Sequence, residues 1–169
     1  MTKLELEDWI KVIRKLGADV KHYKSSKRMT RYFEVENRNV GAAFNANDKP
    51  PTIWIRDNPT DLELFHESMH LEDFFRRGKL NYSKGQKREV LSLGNKTQVP
   101  NRDQLISKYI KEKYVLEKIL KEQDDWIKQF GSGRFSEGDI QFSKDYFEDD
   151  IVKKLIEEGV DINKIVVKE

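Results

Sequence analysis

The chain has no cysteine. That excludes a disulfide framework and a thiolate metal site, so any metal must be held by histidine and carboxylate. Histidine itself is scarce, with three in 169 residues. An excess of one charge is lacking too: Lys+Arg 32 against Asp+Glu 30 leaves a formal net charge of +2, too weak a bulk field to draw in a polyanion. Nucleic acid is therefore not the expected partner. No apolar run reaches membrane-spanning length, and the first ten residues are charged and amphipathic instead of forming an apolar signal core. Neither a membrane span nor a signal peptide is expected. Apolar residues make up 37%, the same as charged ones, so the surface is a dense, solvated mixture of both signs. The length suits one domain with a real core, and residues 1–169 are read as a single domain.

The patterns that are present order the chain. Leu4, Leu6, Trp9, Ile10, Val12, Ile13 and Leu16 recur at helical spacing and Gly17 follows, which predicts an N-terminal amphipathic helix. Tyr32–Glu36 and residues 40–44 are short and rich in strand formers, with Asn37, Arg38 and Asn39 between them, and predict a β-hairpin. After Pro50 and Pro51, Thr52–Ile55 reads as a third strand, ending in the turn formers Asp57, Asn58 and Pro59. Thr60 and Glu63 form a capping-box pattern that predicts a central helix running to Arg77 and stopping at Gly78. Its Leu62, Leu64, Phe65, Met69, Leu71, Phe74 and Phe75 leave no broad polar face, which predicts a helix enclosed by the domain. The next stretch reads as a polar loop through Lys87, with Val90, Leu91 and Leu93 as a short apolar patch. Asn101 or Asp103 then caps a long helix that ends at Gly131 and Gly133. Helical stretches over 136–147 and 149–158, a stop at Gly159 and an apolar segment over 162–167 complete the reading. The fold class is α+β: one helix, a sheet of about three strands, a central helix and a helical C-terminal half.

His66, Glu67, Ser68, Met69 and His70 spell HExxH inside the helix already argued from its cap. Residues four apart share a helix face, so both imidazoles can reach one cation at the roughly 2.0–2.1 Å that zinc requires. Glu67 can face the same site as a general base without being a ligand. Burying two imidazoles and a carboxylate without partners costs several kcal/mol, and one dication would serve all three. His22 lies apart in a basic segment. A catalytic zinc takes three protein ligands and leaves a place for water. With no histidine at the metzincin spacing, the third is a carboxylate, Glu89 or Glu112. Glu89 follows His70 by nearly the thermolysin-like interval, whereas Glu112 stands in a well-marked helix among Tyr109, Val115, Leu116 and Ile119, a context that favours it. The chemistry implied is hydrolysis of a peptide or protein substrate, with Zn2+ activating water and Glu67 moving the proton. Tyr82, Tyr109 and Tyr114 are open as oxyanion donors, and Thr52–Ile55 could offer an edge to an extended peptide. Two alternatives stand beside this: a binding module whose zinc is not catalytic, and a nucleic-acid binder using Lys21, Lys24, Lys27, Arg28 and Arg31 with Tyr23 and Tyr32 nearby.

Residues 55–74, IRDNPTDLELFHESMHLEDF, resemble the zincin-like metallopeptidase toxin domains at the C-termini of bacterial polymorphic toxins. Those domains show an Asn-Pro-Thr turn before an HExxH helix backed by aromatic residues. Gly17-Ala18-Asp19-Val20 is similar to their opening, Glu112-Lys113-Tyr114-Val115 to a downstream Glu-x-aromatic-Val segment, and residues 135–146 to their closing helix. The middle, from about Gly78 to Lys108, is longer than in those domains. The resemblance implies a zincin-like fold and Zn2+ held by His66, His70 and Glu112. It also implies secretion as part of a larger protein or delivery into the cytoplasm of a competing bacterium, and a cognate immunity protein that blocks the cleft.

Overall fold

A computed structural model describes residues 2–83 and 102–165. They fall into two compact units, Met1–Arg76 and Arg77–Glu169. The first helix, α1 (Lys3–Lys15), starts where local chemistry demands: Glu5 N–H donates to the Thr2 hydroxyl and Thr2 N–H donates to the Glu5 carboxylate. It ends before Gly17, whose φ of 93° is a left-handed turn that glycine adopts without steric penalty. Three strands follow, β1 (Asp19–His22), β2 (Ala42–Asn45) and β3 (Thr52–Ile55). They form one sheet in the order β1-β3-β2, with β1 parallel and β2 antiparallel to β3.

Every residue of β3 is buried, because each face of the sheet has its own layer. Ile53 and Ile55 join Ile13, Val20, Ala42, Leu64 and Leu71 in the larger core. Trp54 faces the other way, onto Tyr23, Met29 and Phe33. β1 is absent from the sequence reading, because what makes it a strand is its pairing with β3, far along the chain.

The expected hairpin does not form. Residues 27–31 are instead α2 (Lys27–Arg31), with the Ser26 hydroxyl accepting from Met29 N–H, and the chain runs on into a wide helical turn over Tyr32–Glu36. Helical spacing explains this: Met29 and Phe33, four apart, are both buried, while Val35, which a strand would turn to the same side as Phe33, is 62% exposed. Arg56 secures the turn. Its guanidinium donates to the carbonyls of Phe33, Val40 (2.7 Å) and Asn37 (3.2 Å) and lies over the Tyr23 and Phe33 rings.

The central helix, α3 (Asp61–Arg77), matches its expected bounds. Thr60 N–H donates to Glu63 at 3.0 Å and Glu63 N–H to the Thr60 hydroxyl at 3.1 Å, and Gly78 has φ 77°. Leu64 and Leu71 carry it into the core. It is not enclosed on all sides, however: Glu72, Phe75 and Arg76 are exposed, so its apolar residues outnumber its core contacts.

In the second unit a short helix, α4 (Lys79–Ser83), occupies the start of the expected loop. Glu89, Val90, Leu91, Leu93 and Asn101 lie outside the described residues. α5 (Arg102–Phe130) contains Asp103 in its first turn instead of at its cap, and ends at Gly131 with φ 80°. α6 (Glu137–Tyr146), capped by Ser136, passes through a wide turn over Phe147–Val152 into α7 (Lys153–Glu157), which Gly159 stops with φ 74°. Tyr109, Ile151, Val152 and Leu155 form the core of this unit. The architecture is α+β with a helical C-terminal half, as the patterns predict. Among the described residues no helix is long and apolar enough to cross a membrane.

Candidate metal centre

His66, Glu67 and His70 occupy the middle of α3. One helical turn sets the two imidazoles edge to face with ring centroids 5.0 Å apart. His70 is buried, while His66 and Glu67 are half-buried. The same turn is held on both flanks by its neighbours in the fold. Trp9 of α1 donates its indole N–H to the Ser68 hydroxyl at 3.0 Å, and that hydroxyl donates to Leu64 O at 2.6 Å. On the sheet side, Phe44 N–H of β2 donates to Glu67 Oε2 at 2.9 Å, and the Phe44 ring meets Phe74 edge-on at 5.9 Å. A backbone donor fixed in a strand restrains the Glu67 carboxylate more firmly than a mobile side chain would.

Among the described residues, His66, His70 and Glu112 form a group able to hold a metal ion, with one ligand atom from each lying within 4.8 Å of the others. A tetrahedral ion with ligands at about 2.1 Å sets its donor atoms roughly 3.4 Å apart. Two imidazoles and a carboxylate are the donors of a catalytic zinc site and leave one position for water. His22 is engaged elsewhere: its Nδ1 accepts from Lys24 N–H at 3.3 Å and its Nε2 lies 2.6 Å from Asp57. The accepting Nδ1 places the ring proton on Nε2, as the donor to that carboxylate.

Tyr82, Tyr109 and Tyr114 all belong to the second unit. Tyr109 belongs to the core of the second unit, with its ring 5.5 Å from Phe147. The Lys111 ammonium lies 4.3 Å from the centre of the Tyr82 ring, and that of Lys118 lies 5.3 Å from Tyr114. In the first unit the Glu67 charge acts on Tyr32. Burial first, then the charges of Glu67 and Glu36, push its phenol above the usual value. Sequence reading missed Tyr32 and the Phe44 N–H because neither lies near Glu67 along the chain.

Tyr32 and Phe44 both line a cleft of about 460 Å³ whose other walls include Arg28, Arg31, Glu36 and Asn45. The strand beside it is β2, at the edge of the sheet. That corrects the expected peptide edge: β3 (Thr52–Ile55) is paired on both sides and has none to offer. The basic segment is spread over several elements, with Lys21 over the Trp54 ring, Lys24 over Tyr23, and Arg28 and Arg31 each 3.7 Å from a carboxylate, Asp48 and Glu36. Comparison with known proteins gives no match: no family model, no curated protein and no solved structure is significantly similar to this chain.

Proposed function

We propose that the chain is a zinc-dependent peptide-bond hydrolase of zincin-like fold, with His66, His70 and Glu112 as ligands and Glu67 as general base. The grouping of those three donor atoms carries the reading, and the restraint of Glu67 by Phe44 N–H supports it. When bound, zinc would acidify a water and polarise the substrate carbonyl. Glu67, within the same helical turn, accepts the proton as water attacks and returns it to the leaving amine. Tyr32, on whose phenol the Glu67 charge acts, is the donor this reading assigns to charge developing on the carbonyl oxygen. An extended peptide adds alongside β2, the edge strand whose Phe44 already contacts the base. The resemblance of residues 55–74 to polymorphic-toxin peptidases is the ground for assigning this activity to a bacterial toxin domain, with an immunity protein as the expected inhibitor.

The test is a comparison of the full chain with Glu67→Gln, His66→Ala and His70→Ala for zinc content and for cleavage of a fluorescein-labelled unfolded protein. Wild type and Glu67→Gln should hold one zinc each, and Glu67→Gln should lose about 100-fold or more of the cleavage rate. The histidine variants should lose both metal and activity. Cleavage by Glu67→Gln at the wild-type rate removes Glu67 from the chemistry, and zinc retained by a wild type that cleaves nothing points to a non-catalytic zinc module.

A further inference from the structure

We propose that the cleft beside Glu67 selects a peptide carrying an acidic side chain, Asp or Glu, through Arg28 and Arg31. That a peptide is the occupant rests on the hydrolase reading; the charge preference rests on the cleft itself. The cleft adjoins the base through β2, since Phe44, which lines it, donates its N–H to Glu67 at 2.9 Å. A substrate residue seated there is therefore close to the scissile bond.

Arg28 and Arg31, three apart on α2, project from one helix face onto this cleft. Each has a single carboxylate at 3.7 Å, Asp48 for Arg28 and Glu36 for Arg31, with side chains 67% and 75% exposed. That distance is too long for a hydrogen bond, and among the described residues neither guanidinium makes one. Exposed ion pairs of this kind are weak, so an incoming carboxylate displaces them easily. Each guanidinium can instead bind it through two parallel N–H donors. Among the residues that line the cleft, Glu36 is the one carboxylate against the two guanidiniums, and Asp48, the partner of Arg28, stands outside that lining. A Lys or Arg of a substrate would meet like charge there.

The preference is measured by fluorescence anisotropy with dansylated Gly/Ser heptapeptides bearing Asp, Ala or Lys at the central position. The protein is the full chain, held in chelator so that no turnover intervenes. The Asp peptide should bind about tenfold more tightly than the Lys peptide, the effect of one well-placed charge pair near a protein surface. Arg28→Glu/Arg31→Glu should reverse that order. Lys11→Glu/Lys15→Glu, the same change in net charge on exposed positions of α1, should keep it. Equal affinity for the three peptides, no binding of the Asp peptide at millimolar concentration, an order unchanged by the arginine reversals, or an equal loss in the lysine control each overturns the proposal. A charge order present without any zinc-dependent cleavage would sink the hydrolase reading alone. Cleavage present without a charge order would sink this one alone.

Discussion

Placing a methyl group at Gly41 tests how the helix bearing the histidines is seated. Gly41 stands just before β2 and accepts Arg56 N–H at 3.0 Å. Its backbone is not of the left-handed kind that only glycine tolerates, so alanine meets no conformational penalty there. The penalty is steric. A Cβ at this position would lie 2.5 Å from Glu63 Oε1, where about 3.5 Å is comfortable. The obstacle is the end of a flexible side chain, so Glu63 swings away and gives up its bond from Thr60 N–H, half of the α3 capping box. Losing one such cap contact costs about 0.5–1.5 kcal/mol. In a chain of this length that lowers Tm by about 2–6 °C. Urea denaturation of Gly41→Ala, Glu63→Ala and the double variant provides the assay. Because both substitutions remove the same contact, the double variant should be about as stable as Glu63→Ala alone. Losses that add to within about 0.3 kcal/mol, or a Gly41→Ala loss above about 3 kcal/mol, would show that the methyl strikes something other than the capping glutamate.

Other perturbations follow from the same contacts. Burial and the Glu67 and Glu36 charges hold the Tyr32 proton above its ordinary value, so this group stabilises the fold fully below about pH 10 and the contribution is lost as pH rises through the folded value. Denaturation between pH 9 and 11 should show stability falling less steeply in Tyr32→Phe than in wild type, and equal slopes would remove Tyr32 from contact with those charges. Arg56→Lys keeps the charge but cannot reach three carbonyls at once, and should cost about 2–4 kcal/mol in chemical denaturation. A loss under about 0.5 kcal/mol would mean that the guanidinium does not hold the 32–40 segment.

The features legible in the sequence are those whose hydrogen bonds close within a few residues. Thr60 with Glu63 marked the start of α3, Gly78 its end, and the four-residue interval between His66 and His70 placed both rings on one face. The hairpin failed for a matching reason. Tyr32–Glu36 has strand-forming composition, but Arg56 and the Trp54 layer reward a helical turn there, and both lie some twenty residues further on. The strand β1 went unread because what makes it a strand is β3, whose Thr52 pairs with Asp19.

The α+β class, the ends of α1 and α3 and the pair of imidazoles were determined by the sequence alone, through capping, periodicity and the 3.6-residue turn. The tertiary structure alone decided that β3 is the central strand, that β1 and β2 are the edges, and that a backbone N–H from β2 restrains the Glu67 carboxylate. Strand order and cross-element contacts depend on which apolar faces meet when Ile53, Ile55, Leu64 and Leu71 leave water together. That burial follows from apolar area, which is non-directional, so no local pattern encodes its outcome.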